Sequence, residues 1–573
     1  MDAVFGAIVG VIQNVAGLIW GGTWGDTVIF PFQIGPLAIV LLGTGLFMMV
    51  RIGARPLRRF GPAVAEVWAG RKAQGEDGAI TPWQALSTAL SGQVGTGNLA
   101  GVATAISLGG PGAIFWMWIT AIFGMALAFS ESSLAVKYRE QDTDGRISGG
   151  PMYYIKNGLG KGWGWLAVIF CLGTLFSAMA TGSMIQANSI TKAAMELTNT
   201  EMGLSIPNWA FGIVISLLVF AVIIGGIKSI GSVAGRVVPF MAAAYVLVAF
   251  GVLVANASEV PAAFWQIIAS AFGLSEAMGG VAGYGVMQAV RFGIARGLFS
   301  NEAGQGSAPI AHAAAKTKSP VMQGEIAMIG VFIDTMIICT MTALVILTVT
   351  GDFKKSPALM AANACSAAGI EPAGGQSVGD LFPSAYQEGR EDIILTSGPD
   401  AAAYLIACAD AGVDVPGEAI AAAVDPLVLA DVDHAWETDA DSAAVTTRAY
   451  GEAIPAVGAF IVPVALFFFA FTTIIGWSYY GEQAATYLVG SWATQPFRYV
   501  WVGVVFAGTL WTNVDALWLL GDIANASMAF PNLIAIIALS GVVVAMHRGD
   551  GDAPAPEAKP QPAYRDSAAP PGG

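Results

Sequence analysis

The chain has 573 residues, of which 55% are hydrophobic and only 12% are charged, about half the charged share of an ordinary soluble domain. That balance excludes a soluble globule of this length and points to a chain built for a bilayer. Three histidines, and four cysteines (Cys171, Cys339, Cys365 and Cys408) with no CxxC pair, leave little for zinc or redox chemistry.

The opening stretch, MDAVFGAIVGVIQNVAGLIWGGTWG, carries no Lys or Arg. It lacks the positive flank of a cleavable signal peptide, so residues 1–33 are expected to remain as an external or interfacial segment. Charge-free stretches then mark the spans. Gly78 to Ser130, Gly162 to Thr191, Met202 to Ile227 and Ala453 to Gly481 hold no charge, and each exceeds the roughly 20 apolar residues that a membrane helix needs. Apolar segments predict eleven spans, centred near residues 43, 95, 124, 175, 218, 247, 290, 336, 467, 506 and 535. The first, 34–52, is followed by Arg55, Arg58, Arg59, Arg71 and Lys72, with Arg51 at its end. By the positive-inside rule this loop is cytoplasmic. The N-terminus is then outside and the C-terminus inside, an arrangement that puts 19 of the 26 Lys and Arg in inside loops and tail and 5 outside.

Residues 351–452, between the eighth and ninth spans, hold 17 acidic and 4 basic residues, a net of −13 out of −14 for the whole chain. They are expected to form an external acidic insertion with a solvated surface, because salt screens its field within about 8 Å. Cys365 and Cys408 share this outer region, where disulfides persist, and are the candidate pair. The tail, 548–573, is rich in Pro, Ala and Gly without an apolar period, and disorder is expected there.

Two spans are interrupted. The second breaks at Ser91-Gly92-Gln93-Val94-Gly95-Thr96-Gly97-Asn98, and the seventh at Gly297-Leu298-Phe299-Ser300-Asn301-Glu302-Ala303-Gly304-Gln305-Gly306. Lipid cannot satisfy the backbone groups that such breaks free, so these segments must line a polar cavity or be buried in protein. Close helix packing through small residues is the alternative, but Gln93, Asn98, Asn301 and Glu302 are costly on a packing face. Paired breaks five spans apart are the pattern of secondary transporters with inverted repeats, in which half-helix N-termini attract an anion and unwound carbonyls hold a cation. A zwitterion with a sodium ion meets both needs.

The segments ALSGQVGTGNLAGVATAISLGGPGAIFWMWITAIFGMALAFSESSLAVKYRE, GGPMYYIKNGLG, RGLFSNEAGQGSAPIAHAAAK, FIDTMIICTMTALVIL and FAFTTIIGWSYYGE resemble blocks of the alanine or glycine:cation symporters of the amino acid–polyamine–organocation superfamily. The resemblance implies an all-α polytopic membrane protein with a leucine-transporter-type 5+5 inverted repeat. Core helices 1 to 7 would occupy 83–350 and core helices 8 to 10 would occupy 453–547, behind one extra helix at 34–52. The insertion is longer than the family leads one to expect. The implied activity is import of alanine or glycine with sodium across the cell membrane, with no cofactor and no nucleic acid. The partners are the amino acid, sodium and the lipid bilayer.

The backbone amides around Gly95, Thr96 and Gly97, at a freed helix N-terminus, are natural receptors for a substrate carboxylate, and Thr96 adds a hydroxyl. Gln186 alone reads as a helix-to-helix hydrogen bond; the resemblance places it beside the substrate. Phe299, Thr473 and Trp477 would wall the pocket and limit it to a small side chain. For sodium, the resemblance suggests the carbonyls of Ser91 and Val94 with the hydroxyls of Thr472 and Thr473, although threonines in helices normally bond back to their own backbone. Asn98 and Asp334 form a second candidate sodium site, and Asp334 is equally open to pairing with Arg291 or Arg296. Glu131 and Glu302 either brace the breaks or carry a proton, which keeps proton coupling open. A membrane enzyme would need a His, Asp and Lys cluster, which the sequence lacks. A channel or an amino-acid sensor on the same scaffold is the remaining alternative.

Overall fold

The computed structural model describes residues 10–24, 27–30, 34–72, 78–141, 146–198, 203–204, 206–274, 279–317, 319–349, 442–454, 457–511 and 514–549. The acidic stretch 351–441, with Cys365 and Cys408, and the tail from 550 lie outside the described residues.

Among the described residues the protein is helical apart from two small hairpins, β1 (Thr23–Trp24) with β2 (Thr27–Val28), and β3 (Glu140–Gln141) with β4 (Ile147–Ser148). A single π turn, Gly17–Gly21, precedes the first hairpin and buries Trp20. Six helices among the described residues are long and apolar enough to cross a membrane: Gly112–Lys137, Lys161–Met195, Gly226–Ala255, Pro320–Val349, Phe460–Val489 and Leu517–Ala538. The other predicted centres fall on the shorter helices Pro36–Arg51, Asn208–Ile223 and Thr494–Leu510, on the first interruption, or on the less apolar helix Gly279–Asn301. In chain order the helices are α1 (Pro36–Arg51), α2 (Arg55–Arg58), α3 (Phe60–Ala69), α4 (Pro82–Gln93), α5 (Ala100–Gly109), α6 (Gly112–Lys137) and α7 (Pro151–Tyr154). There follow α8 (Gly164–Met179), which runs through a π turn into α9 (Ile185–Glu196), then α10 (Asn208–Ile223), α11 (Gly226–Ala255), α12 (Val260–Ala271) and α13 (Gly279–Asn301). The last group is α14 (Ala308–Ala313), α15 (Pro320–Val331), which joins α16 (Thr340–Val349) through the π segment Phe332–Cys339, then α17 (Ser442–Ala453), α18 (Gly458–Val489), α19 (Thr494–Leu510), α20 (Val514–Ala538) and α21 (Ser540–Arg548).

Local chemistry sets several of these boundaries. Thr81 caps α4 by a reciprocal pair, its hydroxyl accepting from Gln84 N at 3.2 Å and its own N–H donating to the Gln84 side chain at 3.0 Å, with Pro82 at the first turn. Both choices satisfy or remove a donor that the helix leaves unpaired. Helix α6 is the hub, buried along most of its length and packed against α13 and α15. Small residues let those backbones approach: a Cβ on Gly293 would fall 2.4 Å from the Ala113 carbonyl oxygen, as expected where helices associate in lipid.

Helices α2, α3 and α12 are not anticipated by the apolar pattern. The first two carry arginines that mark topology in the sequence, and two of those arginines are also structural. Glu325 on α15 is 1% exposed and accepts from Arg55 at 2.6 Å and from Arg59 at 3.2 Å. A carboxylate so buried is tolerated because its partners are charged and well directed. Arg55 also meets His547 on α21, so one guanidinium joins three parts of the chain. Helix α17, which closes the acidic region, docks on α5 and α16. Its Thr446 hydroxyl donates to the Leu99 carbonyl at 3.1 Å, and Tyr450 is buried beside Tyr245.

Candidate functional site

The first interruption separates α4 from α5 and holds one 3-10 turn, Thr96–Asn98. Gly95 opens that turn in extended conformation, and its N–H donates to the Asn98 side-chain oxygen at 2.9 Å. Only glycine suits this position, for a Cβ would lie 2.6 Å from Thr473 Oγ1. That closeness lets α18 reach the break: the Thr473 hydroxyl donates to the Val94 carbonyl at 3.2 Å. From the opposite wall, Gln186 accepts from Thr96 N–H at 3.2 Å and donates to Thr96 Oγ1 at 3.1 Å and to the Thr181 carbonyl at 3.0 Å.

The second interruption runs from the end of α13 to the start of α14. Glu302, Gly304 and Gly306 have φ of +56°, +84° and +91°, a left-handed region that glycine enters freely and glutamate does not. Glu302 is held there from both ends. Its Oε1 accepts from Trp477 Nε1 at 2.9 Å, and its Oε2 accepts from the Ser307 hydroxyl at 2.6 Å. Glu131 on α6 accepts from the Gly304 N–H at 3.4 Å and from Asn532 Nδ2 at 2.7 Å, while Asn532 also donates to the Gly304 carbonyl at 3.0 Å. The two breaks touch through Gln93, which donates to the Asn301 carbonyl at 2.8 Å. Several of the freed backbone groups in both segments therefore find protein partners, as burial in a membrane core demands.

Between the breaks lies a small cavity of about 20 Å³. Six of the seven predicted substrate residues line it: Gly95, Gly97, Gln186, Phe299, Thr473 and Trp477. Thr96 lies behind the wall, where its amide and hydroxyl are engaged by Gln186. Glu302, Thr181, Gln305 and Asn525 also line the cavity, and the sequence alone does not assign them to the substrate. For Asn525 the available signal is a carboxamide inside an apolar span, which it shares with Asn532 on the same helix; for Gln305 it is membership of the second break.

The candidate ion residues separate into two groups. Asp334, on the π segment, accepts from Asn98 Nδ2 at 2.6 Å, from the Ser300 hydroxyl at 2.7 Å and from the Thr335 hydroxyl at 2.8 Å. Its partners are these groups rather than Arg291 or Arg296. Arg291 lies over the Phe292 ring and Arg296 over Trp518. Cys339 adds a sulfur 3.2 Å from Ser300 Oγ. A buried carboxylate with two hydroxyls is a hard-oxygen set of the kind that suits sodium. In the other group, the Thr472 and Thr473 hydroxyls both bond back to the Phe469 carbonyl at 3.0 Å; Thr473 also reaches the Val94 carbonyl, and Thr472 lies 3.6 Å from Met241 Sδ on α11. Ser91 turns its hydroxyl to the Thr88 carbonyl at 2.7 Å. Among the described residues no group of three or more His, Cys, Asp or Glu forms a metal-binding cluster.

Broken apolar helices around a polar cavity define a membrane transporter, and sequence comparison gives the family. The profile of the sodium:alanine symporter family matches residues 26–381 and 419–550, and the chain belongs to that family. It is therefore a multi-pass membrane protein. It is 35% identical to the sodium/alanine symporter AgcS of Methanococcus maripaludis, over 94% of this chain and 96% of that protein. It is 40% identical to the probable sodium/glutamine symporter GlnT of Bacillus subtilis, over 54% of this chain and 62% of GlnT. Among solved structures, MhsT in complex with L-phenylalanine aligns with 81% of this chain and 99% of its own, at 13% identity and a TM-score of 0.35.

Proposed function

We propose that the protein imports a small neutral amino acid, alanine or glycine first, by sodium symport through alternating access on a 5+5 core with eleven crossings. The observation that carries this reading is the pair of interrupted helices facing one cavity with opposite chemistry. At the first break the backbone around Gly95 and Gly97 sits at the N-terminus of α5, where the helix dipole favours a carboxylate. At the second, the Glu302 carboxyl lies across the cavity and favours the ammonium group. The fixed charges of a zwitterion thus have an orientation imposed on them.

Phe299 and Trp477 leave little space beyond the backbone of the substrate, in keeping with a hydrogen or methyl side chain. Sodium is assigned to Asp334 with Asn98 and Ser300, and to the Val94 and Thr473 pair. Because Asn98 also closes the first break, ion binding there would stiffen the segment that receives the carboxylate, which couples the two ligands. The N-terminus is assigned to the outside and the C-terminus to the cytoplasm, following the lysine and arginine bias. Relatives named for alanine and glutamine support a neutral amino acid as cargo.

The test is uptake of labelled alanine by proteoliposomes with and without an inward sodium gradient. Accumulation that collapses when choline replaces sodium is expected; uptake unchanged in choline overturns sodium coupling. The buried carboxyls of Glu131 and Glu302 favour a proton as the second candidate coupling ion, and accumulation driven by a pH gradient in choline would select it.

A further inference from the structure

One end of the cavity is polar in a way that the roles above leave unused. Gln305, in the second break, and Asn525, on α20, both line the cavity and are 1% and 4% exposed. Gln305 Nε2 donates to Asn525 Oδ1 at 2.9 Å, and the Ser177 hydroxyl donates to the same oxygen at 2.5 Å. With that oxygen taken twice, Asn525 Nδ2 and Gln305 Oε1 have no partner among the described residues. Gln186, by contrast, has both ends of its amide committed to Thr96 and Thr181.

Two bonded amides lining the cavity therefore offer one free donor group and one free acceptor. This complement does not depend on how the amides are assigned. If nitrogen and oxygen are exchanged in both, the Ser177 hydroxyl accepts from Asn525 and passes its own proton to Thr181 Oγ1, 3.0 Å away. One donor and one acceptor again remain free.

We propose that Gln305 and Asn525 form a receptor for a short substrate side chain that both donates and accepts a hydrogen bond, so that serine is taken in preference to an apolar residue of the same size. This inference rests on the transport reading above and says which side chain longer than methyl the site admits best. An apolar group against the pair would leave a buried donor and acceptor unpaired, which is where binding sites discriminate most strongly. A hydroxyl satisfies both at once and fits the limited space better than a longer carboxamide.

The experiment measures inhibition of sodium-driven labelled alanine uptake in proteoliposomes by serine and by 2-aminobutyrate, in which a methyl replaces the hydroxyl. In the native protein, serine is expected to inhibit at a concentration about 10-fold lower than 2-aminobutyrate, since a buried polar site rejects the analogue that lacks its hydroxyl. Gln305→Met and Asn525→Leu are expected to bring that ratio to about one. Equal inhibition by the two compounds in the native protein, or a ratio unchanged in both variants, overturns the proposal and leaves alanine transport standing. If a variant fails to fold, the native comparison decides. No accumulation of alanine or serine by folded protein overturns the transport reading, and this inference with it.

Discussion

The two interrupted helices solve the same problem with different chemistry. In the first, freed backbone is held by neutral groups: Asn98 takes the Gly95 N–H, Gln186 takes the Thr96 N–H and Thr473 donates to the Val94 carbonyl. In the second, carboxyls join the neutral groups Gln93 and Asn532: Glu131 takes the Gly304 N–H, and Glu302 sits between Trp477 and Ser307. A neutral frame leaves the positive end of the α5 dipole uncompensated, whereas a carboxyl frame makes its side of the cavity attractive to cations. Two equally broken helices thus become the two poles of one site.

Substitutions that erase this contrast should have graded effects. The largest is expected of Gly95→Ala, whose methyl would fall 2.6 Å from Thr473 Oγ1, an overpacking cost of about 1–3 kcal/mol that should cut initial uptake about 100-fold. Native-like uptake by this variant would show that α18 need not approach the first break. Next is Glu302→Ala, which strands the Trp477 N–H and the Ser307 hydroxyl; unpaired buried donors cost about 1–3 kcal/mol each, and a fall in uptake of about 30-fold is expected. Glu302→Gln, which keeps one acceptor, should lose less, and its difference from the native protein in the same vesicles measures what the second acceptor contributes.

Asp334→Asn keeps the shape of the proposed ion cluster and removes its carboxyl. The sodium concentration for half-maximal uptake should rise about 10-fold, equivalent to about 1.4 kcal/mol, and a sodium titration at saturating alanine reads this directly. An unchanged sodium response would return Asp334 to a structural role. The smallest effect is expected of Gln186→Ala, which frees the Thr96 amide and hydroxyl: the alanine concentration for half-maximal uptake should rise about 5-fold, on the order of 1 kcal/mol. The sodium response should hold. A shift in both titrations would mean that the two breaks act as one rigid body.

Much of this architecture is legible in the sequence. Charge-free stretches locate three of the long helices, Gly112–Lys137, Lys161–Met195 and Phe460–Val489, since hydrocarbon disfavours charge, whereas the other three carry charges of their own and are found by their apolar character alone. The breaks are legible because glycines and carboxamides weaken an apolar helix and are costly in lipid unless the backbone opens onto polar groups there. Pairing across space is what the sequence does not supply. Asp334 has two classes of partner open to it, and only the approach of the π segment to Asn98 and Ser300 chooses between them. Thr472 and Thr473 are adjacent, yet helical rotation sends one hydroxyl to the first break and the other toward Met241. Glu325 carries no signal of its own because its partners, Arg55 and Arg59, lie about 270 positions away in the chain and read as topology markers.

Cys339 gives the protein a natural clock. Its sulfur lies 3.3 Å from Asn98 Nδ2 and 3.2 Å from Ser300 Oγ and is fully buried. A thiol reagent that cannot cross the bilayer will meet it only while the ion cluster stands open to water, and only from the side on which it is open. Labelling from the vesicle lumen or from the bath, read by mass spectrometry at this one peptide, would time the exposure of each face without any engineered probe. Sodium, by closing the cluster, should slow that labelling.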